Sequence, residues 1–316
     1  MSVVSRNWDE IIKWDNVYNG KLVVVRIDSA LSEDVETIRR LGKQIAFLRR
    51  AMNLKIIVVQ GSRSKIDTAL QENDLPVRKD QNTGMTELDA VSSTVADTAL
   101  RELNGRIAED FQKASKGSIK TISLAGYDKK AIELHPLKDS DHEIGSADLI
   151  VEKSVFGSML DAQNELFVPI VYPFCAVPGP KTALHNMVSV DADAVALAIA
   201  RDMNAHRLII CSNVLGVLGQ EGALIPEIFT DEIPSMIAQS KVRFDMIARL
   251  TSAGKAVEEM SQGAVVIMDV RYPDSLLNEL LSDQGGGTLI RRRPTRPAQR
   301  DFHFVRAAEL QKRLTG

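Results

Sequence analysis

The sequence predicts an α/β protein built on a largely parallel sheet. Three observations carry that reading. Short β-branched runs alternate with longer amphipathic stretches from Lys21 to Ile290. The short runs are apolar throughout, as strands covered on both faces are. The 316 residues, 44% of them hydrophobic, suffice to bury such a sheet.

In chain order, the first strand falls at Leu22 to Ile27, followed by a helix from about Glu33 to Met52 and a second strand at Ile56 to Gln60. An irregular stretch, Asn73 to Gly84, carries Pro76 and mixed charge, and a helix is expected from Met85 to Ala114. Strands at Ile119 to Leu124, Asp148 to Val151 and Val168 to Tyr172 complete the first half. A second irregular stretch, Pro173 to His185, holds Pro173, Pro178, Gly179 and Pro180 and marks the expected boundary between lobes at 21–178 and 179–290. The second half reads as a helix Asp191 to Met203, a strand Leu208 to Cys211, a helix Arg243 to Met260, a strand Val265 to Met268, a helix Pro273 to Leu281 stopped by a glycine cluster, and a last strand Thr288 to Ile290. In segment 1–20, Trp8, Ile11, Ile12 and Trp14 form one apolar face of a short helix. That face either packs on its own domain or docks on another subunit.

Lys+Arg 39 against Asp+Glu 42 leaves a net charge of −3, so no global positive field exists to hold nucleic acid or an anionic membrane. The segment 291–316 departs from that balance, with eight Lys/Arg against Asp301 and Glu309. It reads as a solvated basic tail or as a local contact for an acidic partner; nucleic acid is not the expected partner. Cys175 and Cys211 lack CxxC spacing and a nearby histidine pair, which argues for buried thiols rather than zinc or a disulfide. No run of about 18 apolar residues occurs, and no basic region followed by an apolar core opens the chain. The expectation is a cytoplasmic protein with no membrane partner.

Ligands of open parallel sheets sit beyond the carboxyl ends of the strands, so the residues just after each strand are the candidates. Here these are Arg26-Ile27-Asp28-Ser29-Ala30, Gln60-Gly61-Ser62-Arg63-Ser64, Ala125-Gly126-Tyr127-Asp128, Ser189-Val190-Asp191-Ala192-Asp193 and the run Cys211 to Leu218. Taken with SVDADAVALAIARDMNAHRLIICSNVLGVLGQEGALIPEI and SLLNELLSDQGGGTLI, their order resembles that of the acetylglutamate kinases and the kinase-like domain of acetylglutamate synthases. The turn IVVQGSRSKID is similar to the synthase version rather than to the triple-glycine turn of working kinases.

The resemblance implies a three-layer αβα sandwich. Its N-terminal lobe would dimerise and receive N-acetylglutamate, and its C-terminal lobe would receive ATP with magnesium for transfer to the γ-carboxylate. It places nucleotide contacts at Gly61, Ser212, Asn213 and Gly216, substrate contacts at Ser62, Gly84 and Ser189, and an arginine-sensing site at Glu279, Gly285 and Gly287. It assigns no residue to a metal.

Much of the phosphotransfer equipment implied by the resemblance is altered. Arg26, Asp28 and Ser29 stand where the family has a lysine and two glycines, and Ser62 and Arg63 replace glycines of the second turn. Gly84-Met85-Thr86-Glu87 replaces Arg-Val-Thr-Asp, the clamp for the substrate carboxylate. Ser189 replaces an Asn, Asn213 an Asp, and Ser252 a second catalytic lysine, with Lys255 one turn further on. Asp193, the organising aspartate, is kept. The expectation is a pseudokinase acting as a ligand-sensing or scaffolding module, homo-oligomeric, with any acetyltransferase on a separate chain because the 26 residues after Ile290 cannot build one. The alternative is an active kinase that uses Arg26, Lys255 and Asp193 on a small carboxylic acid.

Overall fold

A computed structural model describes residues 13–294, apart from 15, 82, 136–143, 163–164, 179–186, 262 and 283–284. Its centre is an eight-stranded sheet in the order β10-β12-β11-β9-β1-β2-β6-β3. The strands are β1 (Leu22–Ile27), β2 (Lys55–Gln60), β3 (Lys120–Ala125), β6 (Phe167–Tyr172), β9 (Arg207–Ser212), β10 (Glu227–Phe229), β11 (Ala264–Asp269) and β12 (Gly287–Arg291). Every neighbouring pair is parallel except β11 and β12. There the chain re-enters at the end it left, with Met268 paired to Gly287. A second sheet, β5-β4-β7-β8, is made of β4 (Ile132–Leu134), β5 (Leu149–Val151), β7 (Phe174–Ala176) and β8 (Met187–Ser189).

Alternation along the central strands feeds two apolar layers. Val23, Val25, Ile56 and Val58 join α2 (Val35–Ala51), α4 (Ala90–Ala114) and α9 (Ser275–Leu281), through Leu41, Ile45, Ile107, Phe111 and Leu280. Leu22, Val24, Ile57 and Val59 face the other way, onto α5 (Lys153–Leu160), α6 (Ala192–Asp202) and α8 (Phe244–Glu259), through Phe156, Val195, Ile199, Leu250 and Val257. Helix, sheet and helix thus form the three expected layers. Smaller helices are α1 (Ser29–Ser32), α3 (Arg63–Glu72) and α7 (Ile233–Ala238).

The differences from the sequence reading have local causes. The helix expected from Met85 starts at Ala90, because Asp89 accepts from Ser92 N at 2.8 Å and donates its own N–H to Ser92 Oγ at 2.7 Å, a reciprocal cap. Residues before it turn back as a hairpin bridging Lys79 and Thr86. Strands β4, β7, β8 and β10 have three residues each, too few to display a period of two. Trp14 and Tyr18 stack at 5.8 Å and are buried in the core of their own chain, while Trp8, Ile11 and Ile12 lie outside the described residues. The last strand includes Arg291, which pairs with Glu227 at 2.7 Å; Arg292 pairs with Glu258 at 3.3 Å and Arg293 with Asp231 at 3.0 Å. The basic segment therefore begins by binding acids of its own domain, and 295–316 lie outside the described residues. Cys175 and Cys211 are buried free thiols, both pushed above the usual thiol range by burial. Among the described residues no helix is long and apolar enough to cross a membrane.

Candidate functional site at the strand ends

At the carboxyl ends of β1 and β9 the chain gathers charges from four elements. Arg26, on β1, is 8% exposed and lies on the strand face that packs against α6. Its Nη1 donates to Asp28 Oδ1 at 2.6 Å, and its Nε lies 2.6 Å from Asp193 Oδ1 in the first turn of α6, an ion pair off the line of a good hydrogen bond. The Asp193 N–H donates to Asp191 Oδ1 at 2.7 Å, and the Asp191 carboxylate also pairs with Arg63 at the start of α3. From α8, Arg249 donates through Nη1 to Ser212 Oγ at 2.6 Å and places Nη2 3.5 Å from Asp28 Oδ2. The Ser212 hydroxyl donates to the same Asp28 oxygen at 3.2 Å.

Three guanidinium groups thus face three carboxylates. Burial alone would lower the Arg26 pKa, but the charges of Asp193 and Asp28 outweigh it and push it up. Burial would raise Asp28; Arg26 prevails and holds that carboxyl below the usual range. For Asp193 burial wins over the attraction of Arg26, with Asp191 and Asp28 adding repulsion, and its pKa is raised.

Gly61 is required by close approach. A Cβ there would lie 2.4 Å from Ser29 N and 2.7 Å from Ile27 O, both backbone atoms. Its N–H donates to Ile27 O at 2.8 Å, so the turn after β2 is fastened to the turn after β1. The Ser29 hydroxyl accepts from Ser64 N at 2.8 Å and strengthens that link. Ser62 is buried beside this seam as the residue preceding α3.

The other candidates are dispersed. Asn213 is exposed, and its carbonyl accepts from Arg271 Nη2 at 2.8 Å while Arg271 grips Asp269 at 2.7 Å. Gly216 has φ +152°, and a Cβ would fall 2.5 Å from Thr288 Oγ1. Ser189, at the end of β8, has a buried hydroxyl with no hydrogen-bond partner among the described residues. Gly84 has φ +65° in the hairpin, whose side chains bind Asp67 on α3: Lys79 Nζ at 2.6 Å and Thr86 Oγ1 at 2.6 Å. Glu279 is buried and accepts from Gly286 N at 2.6 Å; Gly285 has φ +64°, and a Cβ on Gly287 would lie 2.1 Å from Ile267 O. The structure therefore weaves this trio into the turn between α9 and β12.

Lys255 and Ser252 are exposed on α8, and the cation that reaches the centre from this helix is Arg249. The sequence held only a weak signal, a second cation, Arg249, on the same helix as Lys255 and within two turns of it. A further feature of this half is an open cavity of about 600 Å³ lined by Gln220, Glu221, Gly222, Arg243 and the 89% exposed ring of Phe244.

The centre does not fit a polyphosphate. Its two nearest cations already hold Asp28, whose carboxylate repels a phosphate by roughly 1–4 kcal/mol per unit charge at ~4 Å. Among the described residues no group of three or more His, Cys, Asp or Glu side chains is placed to hold a metal ion.

The family model of the amino acid kinase family matches residues 21–269, and the chain belongs to that family. It is 28% identical over 283 residues to the acetylglutamate kinase of Paracidovorax citrulli, covering 87% of this chain and 91% of that one. It is 26% identical over 292 residues to the acetylglutamate kinase of Ehrlichia canis, covering 89% and 87%. Among solved structures it superposes with a TM-score of 0.71 on the N-acetylglutamate synthase of Neisseria gonorrhoeae complexed with coenzyme A and L-arginine, at 19% identity. That match covers 93% of this chain and 66% of the synthase, so the chain spans just under two thirds of the synthase's length. The carbamate kinase of Giardia gives 0.59 at 14% identity, covering 87% and 99%. The structural matches establish the shared fold.

Proposed function

We propose that this protein is a catalytically silent, ligand-sensing or scaffolding member of the amino acid kinase family, of acetylglutamate kinase type. One observation carries the reading: Arg26 and Arg249, two of the three cations gathered at the strand ends, both bind the chain's own Asp28. Phosphoryl transfer depends on fixed positive charge aimed at the moving group, and removal of one such donor costs about 3 kcal/mol of barrier. A site whose guanidinium groups are neutralised internally lacks that stabilisation. ATP and magnesium, which the family implies, therefore have no assigned role here. The ligand would be a small amino-acid derivative such as N-acetylglutamate or arginine, consistent with the names of the relatives. The protein would act in the cytoplasm as a homo-oligomer beside a separate acetyltransferase or other enzyme chain of arginine-type metabolism.

The test is incubation with ATP, magnesium and N-acetylglutamate, trapping acyl phosphate with hydroxylamine. No product above the blank is expected; turnover abolished by Asp193→Ala would establish the active-kinase alternative instead. Thermal melts with N-acetylglutamate or arginine should rise by about 5 °C at a hundredfold excess over Kd if either is the ligand.

A further inference from the structure

Five aspartates precede helices among the described residues; Asp274, before α9, is left-handed at φ +55° and caps nothing, and of the four with extended backbone one behaves differently. Asp34 accepts from Glu36 N and Thr37 N, Asp89 from Ser92 N, and Asp191 from Asp193 N, the ordinary work of an aspartate at that position. Asp28 precedes α1 with the same extended backbone, φ −61° and ψ 147°, yet its side chain caps nothing. Its carboxylate turns instead to Arg26 Nη1 at 2.6 Å, Ser212 Oγ at 3.2 Å and Arg249 Nη2 at 3.5 Å. Three donors from β1, β9 and α8 converge on one carboxylate. The backbone holds that carboxylate's residue in place, because the Asp28 N–H donates to Cys211 O at 2.9 Å and its carbonyl accepts from Leu31 N and Ser32 N at 3.0 Å each.

We propose that Asp28 is a tethered anion: its carboxylate occupies an anion site formed by Arg26, Ser212 and Arg249, and it keeps free phosphate-class anions out. This rests on the silent-kinase reading and specifies how that site is closed. A tethered group competes at an effective concentration of millimolar or higher, and it is already oriented, so a free anion at cellular concentration loses to it. Removing the carboxylate while keeping both guanidinium groups should open the site.

Inorganic pyrophosphate is the probe, titrated by calorimetry and thermal melting against the full chain, Asp28→Ala and the near-isosteric Asp28→Asn, at constant ionic strength. Asp28→Ala should bind pyrophosphate saturably and at least about tenfold more tightly than the unaltered chain. Adding Arg249→Gln to Asp28→Ala should abolish the gain. If Asp28→Ala does not fold in buffer, its melting transition should be restored by pyrophosphate, and Asp28→Asn supplies the affinity comparison. Equal pyrophosphate affinity in the unaltered chain and both variants, or a gain that survives loss of Arg249, would overturn the proposal. Its failure is distinct from failure of the silent-kinase reading, since hydroxylamine trapping on the unaltered chain reports that separately.

Discussion

The strand-end corner and the hairpin at residues 79–86 both bind carboxylates, but they do different work. In the hairpin, Lys79 and Thr86 hold Asp67 with short bonds on an outward-facing surface; the Lys79 side chain is 39% exposed. At the corner, Arg26 is buried and joins Asp28, just beyond β1, to Asp193 in α6, residues distant in sequence. Water screens the first cluster and leaves it local. The second is shielded, so each charge depends on the others, and removing one exposes its neighbours to repulsion. Short distances alone do not distinguish the two; burial does.

Three measurements test that contrast. The largest effect is expected for Arg26→Ala, which leaves Asp28 and Asp193 without their shared cation. Urea unfolding should show a loss of about 3–5 kcal/mol, and a loss below about 1 kcal/mol would erase the distinction. His206 tests a half-buried group without a compensating charge. Its ring packs edge-on to Tyr18 at 5.3 Å, its Nε2 has no hydrogen-bond partner among the described residues, and burial together with Arg207 and Lys21 lowers its pKa to about 4. The unfolded chain takes up this proton near pH 6.5 and the folded chain only near 4, so stability should fall as pH drops through that window, by up to about 3 kcal/mol. His206→Phe should flatten the slope between pH 6.5 and 4.5; an unchanged slope would show that the ring does not resist protonation. The smallest effect is expected for Asp67→Ala in the hairpin, under about 1 kcal/mol and smaller still in high salt.

These clusters also mark where sequence reading succeeds. The central strands were legible to within about a residue, because a strand covered on both faces must be apolar throughout and LVVVRI or AVVIMD has few other fates. Of the three-residue strands, β5 was legible within Asp148 to Val151 and the other four were not, since FCA or EIF carries no period. Arg26, Asp193 and Gly61 stood out because they end strands or open a helix, where the fold class puts ligands. Arg249 did not stand out and was missed in favour of Lys255, because it lies mid-helix among residues that could equally face solvent. The hairpin escaped for a further reason: its bridge pairs Lys79 with Thr86 across a turn, and polar residues give no hydrophobic pattern to read.

Composition and periodicity were enough to specify a parallel sheet between two helical layers and the strand ends that matter, because burial of apolar side chains repeats along the chain in a form that local residues reveal. The proximity of Arg26 and Asp28 in sequence already allowed Arg26 to pair with Asp28 or Asp193, but nothing local specified that Asp28 would also turn from its helix to Ser212 and Arg249. That choice belongs to residues far apart in the chain, and the energy of an ion pair depends on the distance and shielding that packing alone sets.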